Sequence, residues 1–194
     1  SYIAVLIDAD DRARELAHLE SLCRRFAQAL PPAGATHYRA NFGPARLKWE
    51  RHGEFSGYLV IAPGDAEAPF ANPAATLMPA EWMAAVPGKT VAAMHVDIVS
   101  GADFATDSAA LSAHFGGHGV TGASIAEDAA SVFTDFRIHD DGFSRCLVVD
   151  RGLTRGQAGR TLQRLVEIEA YRLLALLALP IARRQAPRMV EIEQ

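Results

Sequence analysis

A chain of 194 residues, 49% of them hydrophobic and 22% charged, carries enough apolar matter to bury one real core, which excludes a long disordered region and favours a single domain. The formal net charge of −4 and the pI near 6.0 leave no broad basic surface, so a sequence-independent grip on nucleic acid phosphates is disfavoured unless the arginines cluster locally, and nucleic acid is not an expected partner. The two cysteines, Cys23 and Cys146, both fall on apolar faces and read as buried, reduced thiols.

Residues 2–7 form a short apolar run of β-formers closed by Asp8, Asp10 and Asp11, any of which can cap a following helix. Leu16, Leu19, Leu22, Cys23, Phe26 and Leu30 then recur at helical spacing, with Arg12, Arg14, Glu15, Glu20, Arg24 and Arg25 on the opposite, polar face, until Pro31 and Pro32 stop the helix. From Thr36 the period changes to two. Residues 37–42, 45–52 and 55–62 read as strands joined by turns at Gly43-Pro44 and Gly53-Glu54. Pro63, Pro69, Pro73, Pro79 and Pro87 then exclude long regular elements, leaving room for a short helix near 79–86.

Residues 90–99 resume as a strand, and 106–115 read as a short helix capped by Thr106 or Asp107. A glycine-rich loop leads into strands at 123–126, 132–139 and 143–150, a β-meander. In the last element Thr154 and Gln157 fit a capping box, and Leu162, Leu165, Val166, Leu173, Leu176 and Leu177 give a broad apolar face, predicting a helix over 154–179. The apolar run at 173–182 is broken by Pro180 and falls short of the roughly 20 residues of a membrane span, so this fragment is expected to be soluble. The strand-like start leaves no signal peptide in view, and the chain reads as part of a longer one. The expected fold is α+β: a mostly antiparallel sheet with an N-terminal amphipathic helix, one head domain over 1–153 and a long helix with its tail over 154–194.

Candidate chemistry is sparse. Gly117, Gly119 and Gly122 match a dinucleotide-binding spacing, but a helix precedes and a strand follows, the reverse of the order that aims a helix N-terminus at a phosphate. His114 and His118 are four apart, but Gly116 and Gly117 break the helix that would present both to a metal. No Ser-His-Asp order, nucleophile elbow or phosphate-binding loop is present.

The stretches WERHGEFSGYLVI (49–61) and FRIHDDGFSRCLVV (136–149) echo each other, each the writing of a β-hairpin. Alternation puts Lys48, Glu50 and His52 on one face of the first, and Asp135, Arg137 and His139 on one face of the second. Side by side, or across a pseudo-two-fold, these would form a ladder of ion pairs. If the turns converge at one end of the sheet, His52, Glu54, His139 and Asp141 become acid/base candidates, and His52, His139, Asp140 and Asp141 ligands for a divalent metal. No other cofactor is indicated. Arg39, Arg51 and Arg137, with Arg46, are candidates for an anion pocket, against the simpler reading as solvated faces and ion pairs.

The segments HYRANFGP (37–44), LKWERH with Glu54, Phe55 and Ser56, TDFRIH (134–139) and the terminal helix from Gln157 through Glu169 to Pro180 resemble the bacterial domain of unknown function 3422 over nearly the whole chain. The resemblance implies membrane anchoring through segments outside this chain, at the cytoplasmic face of a bacterial inner membrane, and no established activity. It implies further an Asn-Glu-Val-His-type segment ahead of Ser1 and a helical region beyond the C-terminus. An α+β head feeding a long helix is similar to magnesium-transporter-like channels, by fold-level analogy alone. The expected role is a non-catalytic head with an assembly, sensing or transporter-like regulatory function, self-associating through the C-terminal helix. The alternative is a metal-dependent or acid/base enzyme at the two hairpin turns.

Overall fold

The computed structural model describes residues 1–65 and 67–192, with side chains described through residue 185. Its strands are β1 (Tyr2–Leu6), β2 (His37–Phe42), β3 (Ala45–Arg51), β4 (Phe55–Ile61), β5 (Lys89–Ser100), β6 (Thr121–Ile125), β7 (Ala130–Ile138) and β8 (Ser144–Asp150). They form one sheet in the order β2-β3-β4-β1-β5-β8-β7-β6, antiparallel except for the parallel pair β5 and β8. The helices are α1 (Ala9–Arg25), α2 (Ala80–Ala84), α3 (Ser108–His114) and α4 (Arg155–Ile192), with a 3₁₀ turn at Ala74–Leu77. The fold is α+β, as the periodicities predict.

Alternation along the strands splits the core into two layers. Leu47, Trp49, Tyr58 and Val60 face α1 and pack with Leu19, Leu22, Cys23 and Trp82. Their neighbours Phe55 and Leu59, with Tyr2, Ala4, Met94 and Cys146, face the other way onto Val166 and Ala170 of α4. A third cluster sets Leu111 and Phe115 of the α3 segment against Val99, Leu147 and Val149. The sheet is therefore sandwiched, with α1, α2 and α3 on one side and α4 on the other. Tyr2 fits because Gly57, opposite Ala4 and diagonal to Tyr2 on the same face, leaves room for its ring: a Cβ on Gly57 would sit 2.8 Å from the Tyr2 hydroxyl oxygen, inside contact distance.

Local signals start the helices. Asp8 Oδ1 accepts the Asp11 N–H at 2.8 Å to cap α1, and Asp107 does the same for α3. Thr154 and Gln157 form the predicted capping box ahead of α4. Two features depart from the sequence reading. Strand β6 begins at Thr121, inside the glycine-rich stretch and ahead of the expected start at 123, while the turn after it falls between the two predicted strands and is built from Ala126, Glu127 and Asp128, all at positive φ. Helix α4 continues through Pro180 and Pro187 to Ile192. Pro180 removes one N–H and leaves the Leu176 carbonyl without its helical donor. Residues 175–185 are exposed, so water satisfies that carbonyl and the helix survives. Among the described residues, no helix is long and apolar enough to cross a membrane.

The two hairpins that echo in sequence do not meet. The strand order reads alike from either edge, but β4 is antiparallel to β1 while β8 is parallel to β5, so no two-fold relates the halves. Both hairpins run in the same direction, with β4, β1, β5 and β8 between β3 and β7. The expected inter-hairpin ladder is therefore absent. Lys48 instead pairs with Glu50 of its own strand at 2.7 Å, and both hydrogen-bond Gln163, tying β3 to α4.

Candidate functional site: a buried histidine centre under the Pro-rich connection

In the connection between β4 and α2, Ala62, Ala74 and Met78 pack with the α1 cluster and Phe70 with the α3 cluster, on the same side of the sheet. Phe70 donates its N–H to Asp97 Oδ2 at 2.6 Å, and its ring takes the Arg145 guanidinium at 5.5 Å. Beneath it, β5 presents His95, which is 4% exposed and stacks on Phe143 at 4.0 Å between ring centroids. The Ser1 hydroxyl oxygen accepts the Ala75 N–H at 3.0 Å and is hydrogen-bonded to His95 Nδ1 at 2.9 Å. On the other side of the ring, His95 Nε2 faces Asp141 Oδ2 at 3.6 Å. Asp141 also lies 3.7 Å from Arg145 and accepts the Phe143 N–H at 2.9 Å, which fixes the second hairpin turn.

Burial pushes the His95 imidazole down to about 4, so the ring is neutral near pH 7. Between about 4 and 6.5 the unfolded chain takes up a proton that the folded one refuses, so this contribution to stability is complete above about 6.5 and is lost as pH falls toward 4. The expected slope is at most about 1.4 kcal/mol per pH unit. Urea midpoints measured across that window should fall with acidity in the wild type and be flatter in His95→Gln; an unchanged slope in the variant would remove His95 as the origin.

A second imidazole lies on the same hairpin. His139 Nε2 is 3.1 Å from Oδ2 of Asp135, whose side chain is wholly buried, but the contact is off hydrogen-bond alignment and both atoms lack a partner. The His118 ring is 6.1 Å from that of His139. Phe136, at φ 55° in the bulge where the β7–β8 register shifts, carries the Arg172 guanidinium of α4 over its ring at 5.9 Å.

Of the residues proposed from sequence, His139 and Asp141 belong to this neighbourhood, and Asp140 is exposed at the turn. His52 and Glu54 do not join them. His52 stacks on Phe55 at 4.4 Å, and five strand steps of about 4.8 Å separate β3 from β7, roughly 24 Å. A metal bound at about 2 Å by His52 and His139 together is thereby ruled out. Among the described residues no three His, Cys, Asp or Glu side chains gather as a metal set. The three arginines do not converge either. Arg51 grips Glu15 on the α1 side at 2.9 Å, Arg39 sits opposite Lys48 and so on the α4 side of the sheet edge, and Arg137 is exposed in the β7 bulge.

Sequence reading missed His95 because, inside the run 90–99, it looks like one polar residue on a strand. Only the parallel pairing with β8, which aligns His95 with Arg145, brings Asp141 and Phe143 to it.

Fold and site define an α/β/α sandwich whose buried histidine–carboxylate centre is closed over by a proline-rich connection and has no assembled metal set among the described residues. The chain belongs to the DUF3422 family, described as a protein of unknown function, whose family model matches residues 1–194. No curated protein and no solved structure matches it.

Proposed function

We propose that this is a non-catalytic head domain that works by assembly, with α4 as the contact element and a second copy of the chain as its partner. One observation carries the reading. The first half of α4 is sealed against the sheet through Val166 and Ala170, whereas Leu176, Leu177, Leu179 and Ile181 further along are 39–54% exposed on a helix that runs on to Ile192. Exposed apolar area of this kind gains about 25 cal/mol per Å² when another helix covers it. Light scattering is expected to give a dimer or larger species, and Leu177→Glu with Ile181→Glu to give a monomer of unchanged Tm. A wild type that is monomeric at every concentration would overturn the reading.

Attachment to a membrane, at the cytoplasmic face of a bacterial inner membrane and through segments outside residues 1–194, is part of the proposal; its support is the resemblance in sequence, and fractionation of cells producing the native polypeptide tests it. A second reading, an acid/base enzyme, draws support from His95 contacting both a hydroxyl and a carboxylate. A turnover that His95→Gln abolishes and the α4 double variant retains would select it.

A further inference from the structure

Strand β5 is twelve residues long, but β1 covers only its first half: Tyr2 stands opposite Met94, and among the described residues no strand on the β1 side pairs with the rest. Strand β4 also overruns β1, ending at Ile61 beyond the Ser1–Val60 pair. Below Ser1 the sheet therefore contains a slot between β4 and β5. Both strands pair with β1, so they stand two strand spacings apart, about 10 Å, which is room for one further strand. The slot is a cavity of about 150 Å³ whose walls include Ile61, Val96, Ile98 and Leu162.

The ladder pattern says which backbone groups are waiting. Val60 N–H donates to the Ser1 carbonyl at 2.8 Å, and Ser1 N donates to the Val60 carbonyl at 3.0 Å, so Ser1 spends its bonds on β4. Alternation then turns Tyr2 toward Met94 of β5, and two and four residues further on Val96 and Ile98 turn their N–H and C=O groups into the slot, while the residues between them serve β8. On the other wall Ala62 is the next to face inward. Among the described residues these groups of Val96 and Ile98 have no strand partner on that side. An open pair of parallel walls in mid-sheet is a template for backbone pairing.

We propose that the slot is a strand site, filled by the residues joined to the Ser1 nitrogen in the native polypeptide, which continue β1 between β4 and β5. Direction favours this occupant. Strands β4 and β5 are each antiparallel to β1, so a segment running straight into Ser1 is antiparallel to both walls. Its chemistry follows from the faces. The residue before Ser1 shares the face of Tyr2 and falls opposite Ile61 and Val96, on the side of Leu162; the third before Ser1 shares that face and falls opposite Ile98. Both are apolar. The residue between them lies on the opposite side near Asp97 and Asn72 and carries a hydrogen-bond donor or a positive charge.

Amide hydrogen exchange on the native polypeptide tests the proposal. A filled slot slows the Val96 and Ile98 amides by at least about tenfold relative to exposed loop amides; exchange at the loop rate means an empty slot and overturns it. Concentration separates the sources of the strand. Protection that persists on dilution comes from the same molecule, and protection that disappears comes from a neighbour and overturns the assignment.

Discussion

Replacing Glu15 by alanine is expected to destabilise the domain by about 3–5 kcal/mol, the loss seen when one partner of a buried ion pair is removed. Glu15 is fully buried beneath α1, where its carboxylate accepts from Trp49 Nε1 at 2.8 Å, from the Tyr58 hydroxyl at 2.9 Å and from Arg51 Nε and Nη2 at 3.0 and 2.9 Å. Truncation leaves the Arg51 guanidinium without its counter-charge and two buried donors without an acceptor. Burial and the neighbouring carboxylate push the Tyr58 phenol up, so its proton stays in place for Glu15. Glu15→Gln keeps the shape and should cost less. Removing both charges in Glu15→Leu with Arg51→Leu should recover part of the loss, since it is the unpaired charge that is expensive. Urea unfolding followed by the fluorescence of Trp49 and Trp82 measures all three; a Glu15→Ala loss below about 1 kcal/mol would mean that the pair behaves like an exposed one.

The second large effect is expected at Ala170, which is fully buried where α4 meets Tyr2, Phe55 and Met94. Ala170→Asp forces extra atoms into a closed contact, costing about 1–3 kcal/mol, and adds a carboxylate with no buried partner, costing several more. The adjacent Glu169 already holds Arg172 through two hydrogen bonds at 2.8 and 2.9 Å, so no free cation waits beside it. A total loss of about 4 kcal/mol or more should release α4 from the sheet. Limited proteolysis within 155–192 at a temperature where the wild type resists cleavage reads the release directly. Ala170→Gly, costing about 1 kcal/mol through helix propensity, is the control. An aspartate variant as resistant as the wild type would mean that α4 is not held by this contact.

Both sites show where reading the chain succeeds and where it stops. At helical spacing Glu15 falls among Arg12, Arg14 and Glu20, and looks like one more residue of a solvated face. It is buried because Arg51, thirty-six residues on, lies across it with Trp49 and Tyr58. Ala170 has no signal at all in a sequence, since alanine is at home on either side of a helix. The strands at 37–42, 45–51 and 55–61 and the caps of α1, α3 and α4 were legible because period-two alternation and capping hydrogen bonds are made within a few residues. The hairpin echo was legible too, but its meaning was not: similar local patterns say nothing about which strands lie between them.

By itself, then, the sequence determined the class of fold, the hairpins, the helix starts and the lack of a broad basic surface, all of which rest on near neighbours in the chain. The tertiary structure alone decided the order β2-β3-β4-β1-β5-β8-β7-β6, and with it the parallel seam that brings Asp141 to His95 and the distance that parts His52 from His139. The reason is physical. A strand's side-chain period fixes which face each residue takes, whereas the choice of neighbouring strand is made by long-range burial, which no local pattern encodes.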